Sequence, residues 1–244
     1  MRYLALAVDF DGTIAHVGEV APRTRDALRR VRQAGRRLLL VTGRELDDLF
    51  ATFDECDLFD RIVAENGALL YNPSDLSTEM LAAPPPPALL AALADRDVPL
   101  SLGQSIIATV TPYEHAVLEA IRNLGLEWHV IFNKGSVMIL PANVTKATGL
   151  ARALEELGIP AGRTIGIGDA ENDHAFLRHC GVGVAVANAL PSLKAVADLV
   201  TRAEDGGGVV EVIDRMLAND LNGVTPRIDV HHPGLHRPGA GAGR

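Results

Sequence analysis

The sequence predicts an α/β fold, in which a doubly wound, Rossmann-like parallel sheet forms the core and a small α+β cap domain is inserted into it. Two observations lead to this prediction. Apolar runs typical of buried strands alternate with helix-like segments in both the first and the last part of the 244-residue chain. Near residue 73 the alternation stops, and residues 84–87 are four prolines, which cannot lie inside a helix or a central strand.

The first part of the core begins with an apolar run at residues 3–8, which predicts a buried strand that ends in a turn at Gly12. Residues 24–34 carry apolar side chains on one helical face, and Gly35 is a typical helix stop. Residues 38–41 predict the second strand, and a helix is expected from Glu45. A short strand at 61–64 then leads into Asn66-Gly67, which predicts a hairpin.

The insert and the rest of the core follow from the same patterns. The insert is expected to contain helices at 88–94 and about 111–124 and strands at 105–110, 128–132 and 137–140. The core then resumes with strands at 164–168, 182–186 and 199–200 and helices at 146–157, 171–178, 191–197 and 209–217. We therefore expect a core domain of residues 1–72 and 143–218, a cap of residues 73–142, and a disordered tail or linker at 219–244.

Composition excludes several classes of function. The formal net charge is −8, from 31 acidic and 23 basic residues without a long basic run, so nucleic acid and anionic membranes are not expected as partners. No apolar stretch reaches the roughly 18 residues of a membrane span, and the start does not resemble a signal peptide. The two cysteines, Cys56 and Cys180, give neither a disulfide framework nor a metal-site spacing. A cytoplasmic enzyme is expected, and its oligomeric state stays open.

Polar residues stand at strand ends and helix starts, in the chain order Asp9, Asp11, Thr42, Lys146, Asp169 and Asp173. Two carboxylates spaced i, i+2 at the end of a strand project to the same side and repel each other unless a cation or a shared proton relieves them. Each residue alone also fits an ordinary turn or helix cap. In doubly wound folds, however, ligands bind outside the carboxyl ends of the strands, so neighbouring strands would bring these groups into one crevice.

These residues occur in four segments that resemble the four motifs of the haloacid dehalogenase-like (HAD) superfamily of phosphatases. The segments are Asp9-Phe10-Asp11-Gly12-Thr13, Thr42-Gly43-Arg44, Lys146, and Gly168-Asp169-Ala170-Glu171-Asn172-Asp173. The insert lies between the second and third segments, as in the C2-capped, Cof-type (IIB) branch. That branch includes sugar-phosphate, sucrose-phosphate, mannosyl-phosphoglycerate and phosphoglycolate phosphatases and phosphomannomutases. The resemblance covers about residues 1–218.

The resemblance implies catalytic roles for five residues. Asp9 would be the nucleophile that forms an aspartyl-phosphate. Asp11 would protonate the leaving oxygen and then deprotonate the attacking water. The Thr42 hydroxyl and the Gly43 amide would bind phosphoryl oxygens, while Lys146 would neutralise the charge that develops on them.

The resemblance also implies a Mg²⁺ cofactor, since this ion prefers hard oxygen ligands. Asp9, Asp169 and the backbone carbonyl of Asp11 would be its protein ligands. Asp173 would bind the metal or, with Asn172, orient waters and the catalytic lysine.

The insert would close over the crevice and select the substrate. Expected substrate contacts are Arg44, Glu65, Asn66, Asn133 and Lys134, although each also fits a turn or surface role. The small cap favours a compact phosphorylated acid or sugar as substrate.

Two other functions stay open, a phosphomannomutase-like phosphomutase and a non-catalytic phosphate-ligand sensor. His16 is expected to be a partly exposed structural residue, and Asn188 is expected to stabilise its loop. His231, His232 and His236 in the tail lack a packed context and are not expected to bind a metal.

Overall fold

The structure, a computed structural model, describes residues 1–133 and 135–226, and these contain two β-sheets and eight α-helices. The strands in chain order are β1 (Ala5–Val8), β2 (Arg37–Val41), β3 (Arg61–Ala64), β4 (Leu69–Asn72), β5 (Ser77–Met80), β6 (Ser101–Leu102), β7 (Ile107–Val110), β8 (Trp128–Asn133), β9 (Ser136–Pro141), β10 (Thr164–Gly168), β11 (Val182–Ala185) and β12 (Leu199–Val200). The helices are α1 (Pro22–Gln33), α2 (Leu46–Thr52), α3 (Pro87–Ala94), α4 (Glu114–Asn123), α5 (Lys146–Glu156), α6 (His174–His179), α7 (Pro191–Val196) and α8 (Asp205–Asn219).

The larger sheet has the strand order β12-β11-β10-β1-β2-β3-β4-β5. Strands β12 to β3 are parallel, and β4 and β5 are antiparallel additions at one edge. The chain builds outward from β1 in one direction through β2 and β3, and later in the other through β10 and β11. Because parallel crossovers are right-handed, these opposite directions place helices on both faces of the sheet. The predicted doubly wound core is therefore confirmed.

The strand order has a switch point between β1 and β10. Val8, the last residue of β1, is paired with Ile167 of β10 on one side and with Leu40 of β2 on the other. All four residues of β1 are fully buried. Residues that directly follow β1, β2 and β10 therefore emerge side by side from the same edge of the sheet.

The smaller sheet is antiparallel, with the order β6-β7-β9-β8. Helices α3 and α4 pack against it through a separate apolar cluster that includes Leu89, Leu93, Val117 and Ile139. Pro87 occupies the first helical position of α3, where its missing N–H is not needed. This is the α+β insert that the sequence predicts, with β6 as an additional strand.

One strand of the structure, β5, is not predicted from the sequence. The predicted cap starts at residue 73, but β5 pairs with β4 as the edge strand of the larger sheet. All four residues of β5 are exposed, so the strand has no apolar alternation from which it could be found. We therefore place the start of the cap after Met80.

The end of the core also differs from the prediction. Helix α8 begins four residues before the predicted start, because Gly206 and Gly208 allow its first turn to approach Thr24 and Thr201 closely. The predicted tail from residue 219 is wrong for residues 219–226, since Leu221 is fully buried and belongs to the core cluster. The remainder of the predicted tail, with its three histidines, lies outside the described residues.

Within the described residues, no helix combines the length and apolar character that crossing a membrane requires.

Candidate active site

Three carboxylates meet where β1 and β10 end. Asp9 follows β1 and Asp169 follows β10, and the parallel pairing of these strands brings both side chains to one edge of the sheet. Asp173 joins them from the single 3₁₀ turn that precedes α6. Each of the three residues offers a carboxylate oxygen, and these oxygens lie within 4.8 Å of one another. All three residues are buried.

Lys146 lies against this cluster as its counter-charge. Its Nζ donates to Asp9 Oδ1 and to Asp173 Oδ1, at 2.6 Å in both cases, and the residue is only 1% exposed. Such short hydrogen bonds between ionised groups are stronger than neutral ones. The ammonium group therefore joins the end of β1 to the turn after β10.

The position of Lys146 follows from how α5 begins. Thr145 caps the helix, since its Oγ1 accepts from Thr148 N while Thr148 Oγ1 accepts from Thr145 N. Gly67, in the turn between β3 and β4, packs directly on this cap. A Cβ atom there would lie 2.0 Å from the Thr145 carbonyl oxygen, and the φ angle of Gly67 is +109°. Only glycine can therefore connect the hairpin turn to the start of α5 in this way.

Asp173 is held by the backbone as well as by Lys146. Its Oδ2 accepts from the amides of Asp169 at 2.8 Å and Ala170 at 3.0 Å. Gly168 makes room for this carboxyl group, since a Cβ atom at that position would lie 2.5 Å from Asp173 Oδ2. Both carboxylate oxygens of Asp173 are therefore engaged within the protein.

Burial and charge act in opposite directions on this cluster. Burial raises the pKa of Asp9 well above its ordinary value; Lys146 opposes the shift, and Asp173 and Asp169 add to it. Burial alone would lower the pKa of Lys146, but the carboxylates of Asp173 and Asp9 reverse this effect, so that the pKa of Lys146 is raised. The lysine therefore stays charged, and a further positive charge beside Asp9 would favour its ionised form.

The donor set fits a hard divalent cation. Three buried carboxylates face one ammonium group, which leaves an excess of negative charge that is costly to bury. Carboxylate oxygens are ligands that Mg²⁺ prefers. Each of the three carboxylates also has a partner within the protein, since Asp9 Oδ1 accepts from Lys146, Asp169 Oδ1 accepts from the Thr13 hydroxyl at 3.3 Å, and Asp173 uses both of its oxygens.

Asp11 points to a different partner. Arg44 donates to it in a bidentate pair, from Nε to Oδ2 and from Nη2 to Oδ1, at 2.7 Å in both cases. Arg44 also donates to Asp48 Oδ2 and Thr52 Oγ1, on the next helix. The hydrogen bonds that Arg44 donates to Asp11 are the main cause of the raised pKa of Arg44. Arg44, which the sequence suggests as a substrate contact, thus holds the predicted general acid.

Residues of the core and the cap together line an open cavity of about 480 Å³ at this site. It is lined by Asp9, Asp11, Gly43, Arg44, Asp48, Asn133, Ser136 and Met138. The predicted contact Asn133 is therefore at the cavity, whereas Lys134 lies outside the described residues. Glu65 and Asn66, also predicted as contacts, are fully enclosed by protein.

Thr42 and Gly43 follow β2, beside Asp9. Thr42 is buried, and its Oγ1 accepts from the backbone amide of Arg44 at 3.1 Å. A Cβ atom at Gly43 would lie 2.6 Å from Met138 Cε of the cap. A larger residue there would displace the cap side chain, so glycine keeps the space between the two domains small.

Three cavity residues are not found from the sequence. Asp48 lies four residues after Arg44 on a helix, a spacing at which opposite charges pair, so this signal was available. Ser136 and Met138 lie on β9 with the period of two that puts residues on one face of a strand. That period shows a shared face but does not show which face points to the core.

Asn188 has the loop-stabilising contacts that the sequence predicts, whereas His16 is more exposed than predicted. Asn188 donates to the carbonyl of Gly12 and to Asp205 Oδ1, and thereby ties its loop to the loop after β1. His16 has a 77% exposed side chain, and its Nδ1 lies 2.8 Å from Asp205 Oδ2.

Sequence comparison identifies the family of this chain. The family model of the haloacid dehalogenase-like hydrolases matches residues 6–102 and 106–213. The chain is similar to the phosphoglycolate phosphatase of Methanothermobacter thermautotrophicus, with 31% identity over 87% of this chain and 98% of the relative. It is also similar to the phosphoglycolate phosphatase of Natronomonas pharaonis, with 30% identity over 88% of this chain and 98% of the relative.

Solved structures share the fold. A haloacid dehalogenase-like hydrolase from Bacteroides thetaiotaomicron superposes with a TM-score of 0.75 at 21% identity, over 88% of this chain and 99% of the other. A sugar phosphatase of HAD subclass IIB superposes with a TM-score of 0.73 at 20% identity, over 87% and 98% of the two chains. The chain therefore belongs to the haloacid dehalogenase-like hydrolases and is an enzyme of the phosphoric monoester hydrolase class.

Proposed function

We propose that this enzyme is a Mg²⁺-dependent phosphatase that hydrolyses small phosphomonoesters through an aspartyl-phosphate on Asp9. The observation that carries the proposal is the bridge from Lys146 Nζ to Asp9 and Asp173, beside Asp169. A buried carboxylate held by an ammonium group at the edge of a cavity is placed to act as a nucleophile.

In the first half of the reaction, an Asp9 carboxylate oxygen attacks phosphorus, and the bond to the leaving oxygen breaks. Lys146 fixes the direction of this carboxylate and balances the negative charge on the phosphoryl oxygens. The Thr42 hydroxyl and the Gly43 amide complete the binding of those oxygens.

Asp11 acts as the acid and then as the base. It must release at least one oxygen from Arg44 to carry a proton, since a carboxylate in a bidentate ion pair only accepts. It gives this proton to the leaving oxygen and takes another from the water that attacks the aspartyl-phosphate. Arg44 keeps Asp11 at the cavity between these steps.

The residues that would hold the cation are Asp9, Asp169 and the backbone carbonyl of Asp11. When bound, the cation supplies positive charge that favours ionised Asp9 and neutralises the phosphoryl group. Asp173 does not need to bind it, because this residue orients Lys146.

The substrate class follows from the size and lining of the cavity. About 480 Å³ lined by carboxylates, an arginine, an amide and a hydroxyl suits a compact polar phosphate ester. Relatives named phosphoglycolate phosphatase support a phosphoglycolate-like acid, and a sugar phosphate and a mannosyl-phosphoglycerate-like compound stay as further candidates. Within the described residues, the cations at this site are Lys146 and Arg44. Both form ion pairs with carboxylates of the protein.

The test is phosphate release from p-nitrophenyl phosphate and from a panel of phosphorylated acids and sugars. Wild-type enzyme should turn over several of them with Mg²⁺, and EDTA should stop the reaction reversibly. Asp9→Asn should lower kcat by about 10⁴-fold or more, because the nucleophile is removed. Full activity of Asp9→Asn would refute the proposal. Transfer of the phosphoryl group to a sugar without phosphate release would instead indicate the phosphomutase.

A further inference from the structure

Glu65 is a buried carboxylate that the proposed reaction does not use. It opens the turn between β3 and β4 and is only 1% exposed. Its φ angle is +48°, a backbone conformation that non-glycine residues rarely adopt. A carboxylate buried in this way needs strong hydrogen-bond partners that offset the free-energy cost of its desolvation.

The partners of Glu65 belong to the cap. Its Oε1 accepts from the backbone amide of Gln104 at 2.8 Å, and its Oε2 accepts from the amides of Ser105 at 2.8 Å and Ile106 at 3.0 Å. These amides lie in the loop between β6 and β7. Successive N–H groups that converge on one carboxylate form an anion-binding concavity.

The cap loop is shaped around this carboxylate. A Cβ atom at Gly103 would lie 2.6 Å from Glu65 Cδ and 2.7 Å from both of its carboxylate oxygens. Gly103 therefore allows the loop to close over Glu65. In addition, Ser105 Oγ donates to the carbonyl of Ala82, which holds the loop to the chain segment entering the cap.

The turn that carries Glu65 is bound to the catalytic residues of the core. The amide of Glu65 donates to the carbonyl of Arg44 at 2.9 Å, and the amide of Asn66 donates to that of Thr42 at 3.0 Å. Asn66 Oδ1 also accepts from Asn172 Nδ2. The turn is therefore a fixed part of the site, from which a side chain reaches into the cap.

Apolar contacts extend the same junction to the cavity. Ala68 of the core forms a buried cluster with Ile106, Met138, Leu140 and Val144. Ile106 supplies one of the amides from which Glu65 accepts, and Met138 lines the cavity. The cluster thus connects the anchored loop to the β8–β9 hairpin over the site.

We propose that Glu65 is a positioning residue that anchors the cap over the catalytic site. Its carboxylate holds residues 103–106, and through the apolar cluster it sets where Asn133, Ser136 and Met138 face the cavity. The kinetic consequence rests on the proposed function, whereas the anchoring itself does not.

The experiment compares wild-type enzyme, Glu65→Ala and Glu65→Gln. Amide hydrogen exchange at residues 104–106 should accelerate by about tenfold or more in Glu65→Ala, because charge-assisted acceptors are lost. The emission of Trp128, the one tryptophan of the sequence, should change because it lies in β8 of the cap. The kcat/KM of Glu65→Ala for p-nitrophenyl phosphate should be about 10- to 100-fold below that of wild-type enzyme. The value for Glu65→Gln should lie between those of wild type and Glu65→Ala.

Two further variants separate anchoring from a general loss of folding. Gly103→Ala should reproduce the changes from the cap side, since its Cβ displaces the carboxylate. Glu45→Gln is the matched control, because Glu45 Oε1 also accepts from the cap, from Ser101 Oγ, but at an exposed position. It should alter exchange and kinetics by less than about twofold.

The outcomes distinguish the two proposals. Unchanged exchange at 104–106 and unchanged kinetics in both Glu65→Ala and Gly103→Ala would refute the anchor, whatever the enzyme hydrolyses. Faster exchange and altered Trp128 emission would support the anchor even if wild-type enzyme released no phosphate, and that failure would count against the proposed function alone.

Discussion

The core site and the cap hairpin line the same cavity but are held in different ways. In the core, Asp9 and Asp169 follow paired parallel strands, so the register of the sheet fixes them. In the cap, Asn133 and Ser136 lie on a half-buried hairpin whose position depends on how one domain docks on the other. Backbone pairing therefore positions the proposed catalytic carboxylates, whereas domain docking positions the proposed substrate contacts. The two regions should respond differently to substitution.

The largest difference should appear at Lys146. Lys146→Met removes the counter-charge of Asp9 and Asp173, so we expect kcat to fall by about 10²- to 10³-fold and the free energy of unfolding to fall by about 3 kcal/mol. Steady-state kinetics and urea denaturation measure the two effects. Lys194→Met on α7 is the control and should change neither. A Lys146→Met enzyme with wild-type kcat would show that the ion pairs of Lys146 with Asp9 and Asp173 do not contribute to turnover.

A smaller effect is expected from the glycine that joins the hairpin turn to α5. Gly67→Ala should destabilise the protein by at least about 2 kcal/mol, because the new Cβ meets the Thr145 carbonyl at a positive φ. Gly125→Ala in the cap has a φ angle of +62° but no atom within 4 Å of its Cβ, and it should cost only about 1 kcal/mol. If thermal unfolding shows that Gly67→Ala and Gly125→Ala lose the same stability, the positive φ angle, and not the close approach to Thr145, explains the effect at Gly67.

Substitution in the cap hairpin should change binding more than chemistry. Asn133→Ala should raise KM about 3- to 10-fold for the best substrate, as expected for one lost hydrogen bond, and leave kcat within about twofold. Asn123→Ala, at the exposed end of α4, is the control. If Asn133→Ala lowered kcat strongly without changing KM, the cap would take part in the chemical step.

The smallest effect concerns His179, at the end of α6 in the core. Burial lowers its pKa, so the folded protein binds fewer protons than the unfolded chain below about pH 6.5. The free energy of unfolding should therefore fall as the pH is lowered from 7 towards 5, by about 1 kcal/mol or less from this residue. His179→Gln should flatten that part of the profile in denaturation measured at several pH values.

The contrast between strand pairing and domain docking also explains which site residues can be predicted from the sequence. Asp9, Thr42 and Asp169 were identifiable because each follows a short apolar run, and parallel strands bring their ends together. The pairing of Arg44 with Asp11 could not be predicted from the sequence, since a bidentate contact depends on side-chain geometry. Glu65 was expected near the substrate, but its role as a cap contact depends on how two separately folded parts dock. Strand β5 was missed because its four exposed residues carry no pattern.

The central claim is that Asp9, held by Lys146 beside Asp169, becomes covalently phosphorylated. The most direct measurement is rapid acid quenching during turnover, followed by borohydride reduction and mass spectrometry of the peptide that contains Asp9. An aspartyl-phosphate is reduced to homoserine, so the account predicts homoserine at position 9 in wild-type enzyme with substrate and none in Asp9→Asn. An unmodified Asp9 during rapid, multiple-turnover release of phosphate would contradict it.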